Sequence, residues 1–195
     1  MSEGTGIGRV EAFSDGVIAI IITIMVLELK VPHGADPALL IGLWPTLLSY
    51  GLSFLVIAVY WVNHHSLLDQ AKRATARVLW CNLVWLFCLS LIPFATAYMG
   101  ENRFTPFSTA LYSAVLLLPG IAIVPLRAAV ATQVKDEAAY RAIWTRAVRK
   151  NTLTILLYAA AVPLAFVHPA ISLMLGFAVA AVYFIPNAWL GQHAD

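Results

Sequence analysis

The chain has 195 residues, 61% hydrophobic and only 11% charged, with a formal net charge of +2 and a mean hydropathy of +0.83. Water-soluble domains are nearer 45–50% apolar and about 25% charged, so a globule of this composition could not cover itself with polar surface. The composition therefore excludes a soluble protein and predicts an integral membrane one, and so small a net charge implies no nucleic-acid partner.

The first element begins with the string RVEAFSD, residues 9–15, and continues as an apolar run in which Thr23 is the single polar side chain between Val17 and Leu27. The run is followed by Glu28 and Lys30 instead of a small-residue cleavage site, so it is expected to stay in the mature protein. A bilayer core about 30 Å thick needs roughly 20 apolar residues per helix. Six segments meet that, at residues 11–29, 38–62, 78–99, 105–126, 152–167 and 169–190. The runs are continuous and do not alternate, which argues against a β-barrel. Expected, then, is one all-α domain over residues 1–195 with six transmembrane helices.

Lysine and arginine set the orientation. With the N-terminus inside, Arg9, Lys72, Arg73, Arg77, Arg127, Lys135, Arg141, Arg146, Arg149 and Lys150 lie on the cytoplasmic side, against Lys30 and Arg103 outside. That split follows the positive-inside rule and predicts cytoplasmic termini in a plasma-membrane protein. The longest connection, RAAVATQVKDEAAYRAIWTRAVRK, is amphipathic and is expected to be helical and cytoplasmic, with contact to anionic lipid as a further option. Cys81 and Cys88 share one helix face, cannot bridge each other there, and are expected to be structural.

Polar residues at membrane depth are expensive and often functional. The candidates are Ser14, Asp15 and Thr23 in the first helix, Asn63, His64 and His65 ending the second, Asn82 opening the third, and Asn187 near the end of the sixth. The topology puts Asp15, His64, His65 and Asn82 at one depth. On a wheel of about 100° per residue, Phe13, Gly16, Thr23, Ile24 and Leu27 fall close to Ile20, with Arg9 in line below, while Ser14 and Asp15 point well away. The first helix thus has an apolar stripe carrying one hydroxyl and a second face carrying a carboxylate and a hydroxyl. From pattern alone Thr23 has an ordinary use, a bond to the carbonyl one turn back, and Asp15 an ordinary partner in Arg9 or a histidine.

Enzyme chemistry is not expected. The string NHHSLLD, residues 63–69, resembles the N-H-x-S-x-x-D signature of glycerolipid acyltransferases, with His64, Ser66 and Asp69 on its positions. The downstream phosphate-binding element of that family has no counterpart, and the only EGT lies upstream, at residues 3–5. A metal site of His64, His65 and Asp69 is not expected either, because adjacent histidines diverge by about 100° on a helix and no further ligand stands at supportive spacing. No cofactor-binding motif is present, and none is expected.

The motif RVEAFSD ahead of an isoleucine-rich first helix resembles the R-x-x-x-F-S-D signature of the transmembrane protein 175 family, the lysosomal-type potassium channels and their prokaryotic relatives. Arg9, Phe13, Ser14 and Asp15 occupy all four signature positions, and Trp61 with His64 and His65 resembles the element that ends the family's second helix. The resemblance implies a homotetramer whose pore is lined by the first helix of each subunit. It has no T-V-G-Y-G carbonyl filter, and this sequence contains none. Carried over, Ile20 corresponds to an apolar gate, Thr23 to a hydroxyl layer and Leu27 to an outer apolar layer, with Ile24 on the same pore-lining face. Arg9, Ser14 and Asp15 would belong to a packing network whose partners are Trp61, His64, His65 and Asn82. The implied activity is passive conduction of K+, also of Cs+ or Rb+ and more weakly of Na+, with membrane lipid around it. Glu28, Asp36 and Glu101 would stand near the outer mouth. The alternative is a proton-coupled small-molecule transporter using Asp15, His64 and His65, which would lack the paired Gly/Pro-interrupted segments of such folds.

Overall fold

In the first helix, α1 (Thr5–Leu27), residues Val10, Ser14, Ile18, Ile21 and Met25 recur at helical spacing and are all buried. That period commits one side of α1 to the rest of the chain. The computed structural model describes residues 5–34, 36–134 and 137–184, and all of its regular elements there are helices. Lys135, Asn187 and the end of the sixth predicted span lie outside the described residues, as do both chain ends; of the side chains of Arg141 and Arg146 nothing is described.

A short helix, α2 (Pro37–Gly42), is capped by the Asp36 carboxylate, which accepts from the Ala38 N–H at 2.9 Å. Pro45 then opens α3 (Trp44–Leu68). The second span therefore runs from Trp44 to Leu68, not over residues 38–62, and Asn63, His64 and His65 fall inside it. Proline resets the next span as well. α4 (Ala76–Ser90) and α5 (Ile92–Glu101) are two halves of one membrane crossing, interrupted at Leu91 where Pro93 cannot donate.

Next comes α6 (Pro106–Ala131), with Pro119 and Pro125 inside it. Beside Pro119 the carbonyls of Leu116 and Gly120 take side-chain donors, from Tyr60 Oη at 2.7 Å and Asn151 Nδ2 at 3.1 Å. Neighbouring helices supply hydrogen bonds in this way around prolines in membrane helices. The amphipathic connection forms the start of α7 (Glu137–Val167), whose apolar part is Ala147–Val167. His168 then turns the chain into α8 (Pro169–Phe184), accepting the Ala170 N–H on its Nδ1.

Among the described residues, five helical stretches are long and apolar enough to cross a membrane; the described part of α8 is apolar but shorter. The protein is thus an all-helical, multi-pass membrane protein. α1 packs on α3, α4 and α5, while α6 sits between α4 and the α7–α8 hairpin. Lipid is as apolar as leucine, so close packing and hydrogen bonds hold such a bundle. Trp85, Tyr112, Leu52 and Met25 fill the centre. Ser53 joins three helices by bonding Thr96 at 2.7 Å and Tyr112 at 2.9 Å.

Candidate functional site

The predicted stripe of α1 is the side the chain leaves uncovered. Phe13 is 55% exposed, Ile20 58%, Ile24 42% and Leu27 78%, and Arg9, Gly16 and Thr23 are exposed on the same side. Exposure alone does not distinguish α1, because Trp80 and Phe87 on α4 and Phe166 on α7 are also exposed, as lipid-facing side chains would be. The α1 stripe carries an arginine, a glycine and a hydroxyl together with the isoleucines. Ile20 and Ile24 also form one wall of a groove of about 700 Å³, whose opposite wall is Ser90, Pro93, Phe94, Ala97, Tyr98 and Glu101 of the third crossing.

Thr23 does what pattern alone proposed: its Oγ1 donates to the Ala19 and Ile20 carbonyls, each at 3.0 Å. Its proton is thereby spent on the helix, and its lone pairs remain.

The opposite side of α1 is fixed by a directional hydrogen-bond chain. Ser14 Oγ donates to the Val10 carbonyl at 2.8 Å, so toward Asn82 it can only accept, and it takes Asn82 Nδ2–H at 2.9 Å. That fixes the amide: Asn82 Oδ1 faces His64 Nε2 at 2.7 Å. An amide oxygen only accepts, so the proton of the neutral ring lies on Nε2. Ser14, Asn82 and His64 are all buried. The His64 ring stacks on Trp85 at 4.3 Å and 1°, which holds the imidazole in the plane that this chain requires.

Asp15, next in sequence but turned by about 100°, leaves this network for another. It is half-buried and its Oδ1 accepts Trp61 Nε1–H at 2.8 Å, so its partner is neither Arg9 nor a histidine. Trp61 in turn stacks on His65 at 5.8 Å and 20°. Ser14 and Asp15, placed on one face by the wheel, thus anchor α1 separately, to α4 and to α3. Arg9 forms no hydrogen bond or ion pair with the described residues; it lines a groove of about 420 Å³ with Phe13, Leu79, Asn82 and Leu83.

The acyltransferase-like dyad does not form. His64 turns to Asn82, Ser66 Oγ donates to the Val62 carbonyl, and His65 Nε2 is 3.7 Å from Asp69. At the opposite end of α1, Glu101 is paired with Lys30 at 2.6 Å, and Asp36 is a helix cap. Of the three carboxylates expected at an outer mouth, only Glu28 has neither duty. The pair raises the Lys30 pKa through the hydrogen bond to Glu101 and its charge.

Trp85 and Glu11 were not singled out from sequence. Trp85 stands one turn after Asn82, a spacing that would have put it beside any partner of Asn82. Glu11 stands one turn before Asp15, and its Oε1 lies 3.4 Å from His65 Nδ1.

Residues 9–93 match the family described as "Endosomal/lysosomal potassium channel TMEM175". A potassium channel of Chryseobacterium sp. (strain P1-3) is 39% identical over 92% of this chain and 93% of its own length. The human "Endosomal/lysosomal proton channel TMEM175" is 33% identical over 45% of this chain, which corresponds to 20% of the human protein. Among solved structures, that of "a lysosomal potassium-selective channel TMEM175 homolog from Chamaesiphon Minutus" covers 96% of this chain and 98% of its own, with a TM-score of 0.77 and 29% identity. The signature positions Arg9 to Asp15 and their partners on α3 and α4 lie within the matched region, and the resemblance to the bacterial relative runs nearly end to end: the chain belongs to the TMEM175 family.

Proposed function

We infer that this chain is a subunit of a potassium-permeable cation channel whose pore is lined by α1. The observation that carries the reading is the uncovered stripe of Ile20, Thr23, Ile24 and Leu27 on a helix tightly anchored on its other side. The potassium-channel names of the bacterial relatives and of the matching structure support it. One copy cannot enclose a path, so the reading requires several. Four copies around a common axis, each a single six-helix unit over residues 1–195 with its termini in the cytoplasm of a cell bounded by its plasma membrane, would bury the stripe and cover the groove beside it.

In that assembly the Ile20 side chains close the path by dewetting, since a narrow apolar ring cannot hydrate an ion. Dilation or rotation of the α1 helices admits water and cations. The Thr23 oxygens, having given their protons to carbonyls of their own helices, present acceptors to a cation. With no carbonyl cage, preference for K+ over Na+ is modest, and Cs+ and Rb+ pass as well. Ser14, Asp15, Trp61, His64, His65 and Asn82 hold α1 in register, and Arg9 and Phe13 meet the neighbouring subunit.

A second reading has a specific observation behind it: the animal relatives carry the name proton channel, and protons could use the same path. Flux into liposomes separates the cases. Ile20→Asn raises cation leak if Ile20 closes the path, and Thr23→Val lowers the K+/Na+ ratio while leaving total flux measurable. A pH gradient in place of a K+ gradient tests proton permeation. Unchanged flux in both variants, with an intact oligomer on gel filtration, would sink the pore assignment. Saturable, proton-coupled uptake of a small solute would replace it with a carrier.

A further inference from the structure

One cluster at the Arg9 end of α1 is used neither by the hydrogen-bond chain nor by the pore stripe. Glu11 of α1, His65 of α3 and Asp69, the residue that caps α3, each bring a ligand atom within 4.8 Å of the others. His65 Nδ1 is 3.4 Å from Glu11 Oε1, and His65 Nε2 is 3.7 Å from Asp69 Oδ2.

Three features make this more than three charged groups near a surface. His65 and Asp69 are one turn apart on α3, so one helix face already carries a nitrogen and an oxygen donor. The His65 ring is oriented by its stack on Trp61, as metal-bound imidazoles are oriented by their surroundings. Finally, Glu11 Oε1 is shielded from solvent and has no hydrogen-bond partner, although the rest of the side chain reaches water. Its polar neighbour, His65 Nδ1 at 3.4 Å, is not in hydrogen-bonding geometry; buried polar atoms are usually satisfied, and a cation at this point would satisfy this one.

We propose that Glu11, His65 and Asp69 bind a divalent transition-metal ion, for which Zn2+ is the probe, and that the bound ion clamps α1 to α3. An imidazole with two carboxylates suits zinc and its neighbours, whereas Mg2+ and Ca2+ prefer oxygen-only shells. Only one ring nitrogen of His65 can hold the ion, so ligand distances of about 2.0–2.2 Å require the carboxylate that now faces the other nitrogen to swing round as the three side chains close in. Water completes the shell, as in three-ligand zinc sites. The clamp joins the same two helices as the Asp15–Trp61 bond, one turn nearer the start of α1. A second tie there resists the movement of α1 that conduction needs, so the ion inhibits flux; that consequence rests on the channel reading above, and the binding does not.

The test uses the full-length protein in detergent and in liposomes. Titration calorimetry with zinc chloride should give one ion per chain, with excess Mg2+ failing to compete. Glu11→Gln, His65→Ala and Asp69→Asn should each weaken binding at least about 10-fold, the loss seen even for outer-shell partners of metals, while His33→Gln, at an exposed histidine beyond the opposite end of α1, leaves it unchanged. Helical circular dichroism and the gel-filtration peak verify that each variant is folded. Unchanged affinity in folded Glu11, His65 and Asp69 variants, or loss of binding in His33→Gln, overturns the site. For the clamp, Zn2+ on the face bearing His65 should slow wild-type K+ flux and spare Glu11→Gln; binding without any slowing overturns the clamp and leaves the site. No flux even in metal-free wild type overturns the channel reading, and calorimetry still decides the site.

Discussion

Replacing Asn82 with leucine tests whether the Ser14–Asn82–His64 chain is what holds α1 against α4. The substitution nearly keeps the shape of the side chain and removes both of its hydrogen bonds, at 2.7 and 2.9 Å. His64 then faces leucine methyl groups with a buried Nε2–H, and an orphaned buried donor costs about 1–3 kcal/mol. Ser14 loses less, because its own proton still goes to the Val10 carbonyl; interhelical bonds in membranes average about 0.6 kcal/mol. The His64–Trp85 stack survives and keeps the imidazole from swinging elsewhere. The expected destabilisation is therefore about 2–3 kcal/mol, a shift of roughly 30- to 140-fold in the folding equilibrium at 1.4 kcal/mol per tenfold. The assay is chemical unfolding in detergent, followed by circular dichroism. The double variant His64→Phe/Asn82→Leu sharpens it: the stack is kept and the orphan removed, so the double variant should be the more stable of the two by about 1–3 kcal/mol. If Asn82→Leu unfolds within about 0.5 kcal/mol of wild type, the range of an ordinary surface change, or if the double variant is the weaker, the directional chain is not what anchors α1.

Further perturbations address the other contacts. A Cβ added at Gly100 would lie 2.5 Å from Ser49 Oγ and 2.9 Å from the Thr46 Cα. Backbone cannot turn aside, so Gly100→Ala should force α5 from α3 and cost about 1–3 kcal/mol, read as a lower melting temperature; Gly51→Ala, with nothing within 4 Å, should be neutral or better. Trp61→Phe keeps a ring over His65 and deletes the donor to Asp15, a bond to a charged group worth about 1.5–3 kcal/mol when dry and less at this half-buried site. Spin labels at the start of α1 and the end of α3 should report a broadened distance. The Lys30–Glu101 pair responds to alkali. Its lysine pKa is raised above the ordinary 10.5, chiefly by the hydrogen bond to Glu101, so the tie is fully present below that value and is lost as pH climbs through the raised one. Label mobility at the end of α1 should rise in that alkaline window in wild type, and be high and independent of pH in Lys30→Gln.

The spans were legible because hydropathy sums over twenty residues, and the stripe of α1 because a helix repeats its faces. Boundaries were less legible where proline interrupts without changing hydropathy. Pro37–Gly42 is as apolar as the helix that follows, so the sum ran through it and began the second span early, whereas Pro45 starts a new helix at Trp44. Pro93 likewise divides a run whose composition never changes. The anchors were half-legible. Asn82 and His64 were at one depth by topology alone, but Trp85 beneath His64 and Glu11 beside His65 are contacts between helices. Ser14 and Asp15 looked like one face because a wheel has no neighbours on it; with α3 and α4 in place, the angle between adjacent residues is enough to send each to a different helix.

Thr23 brings these strands together, since its two uses looked like rivals. A hydroxyl bonded back to its own helix seems idle, and a hydroxyl coordinating an ion seems to need freedom. The geometry removes the opposition. A free threonine in an apolar stripe could turn its proton outward and repel a cation; with the proton committed to the Ala19 and Ile20 carbonyls, the oxygen has only lone pairs left to offer. Serine could make the same bonds, but it lacks the methyl that restricts the rotamer. Thr23→Ser should therefore conduct with a K+/Na+ ratio between those of wild type and Thr23→Val, in bi-ionic liposome flux. If Thr23→Val retains the wild-type ratio, the back-bonded oxygen contributes nothing to ion preference, and its bond serves the helix alone.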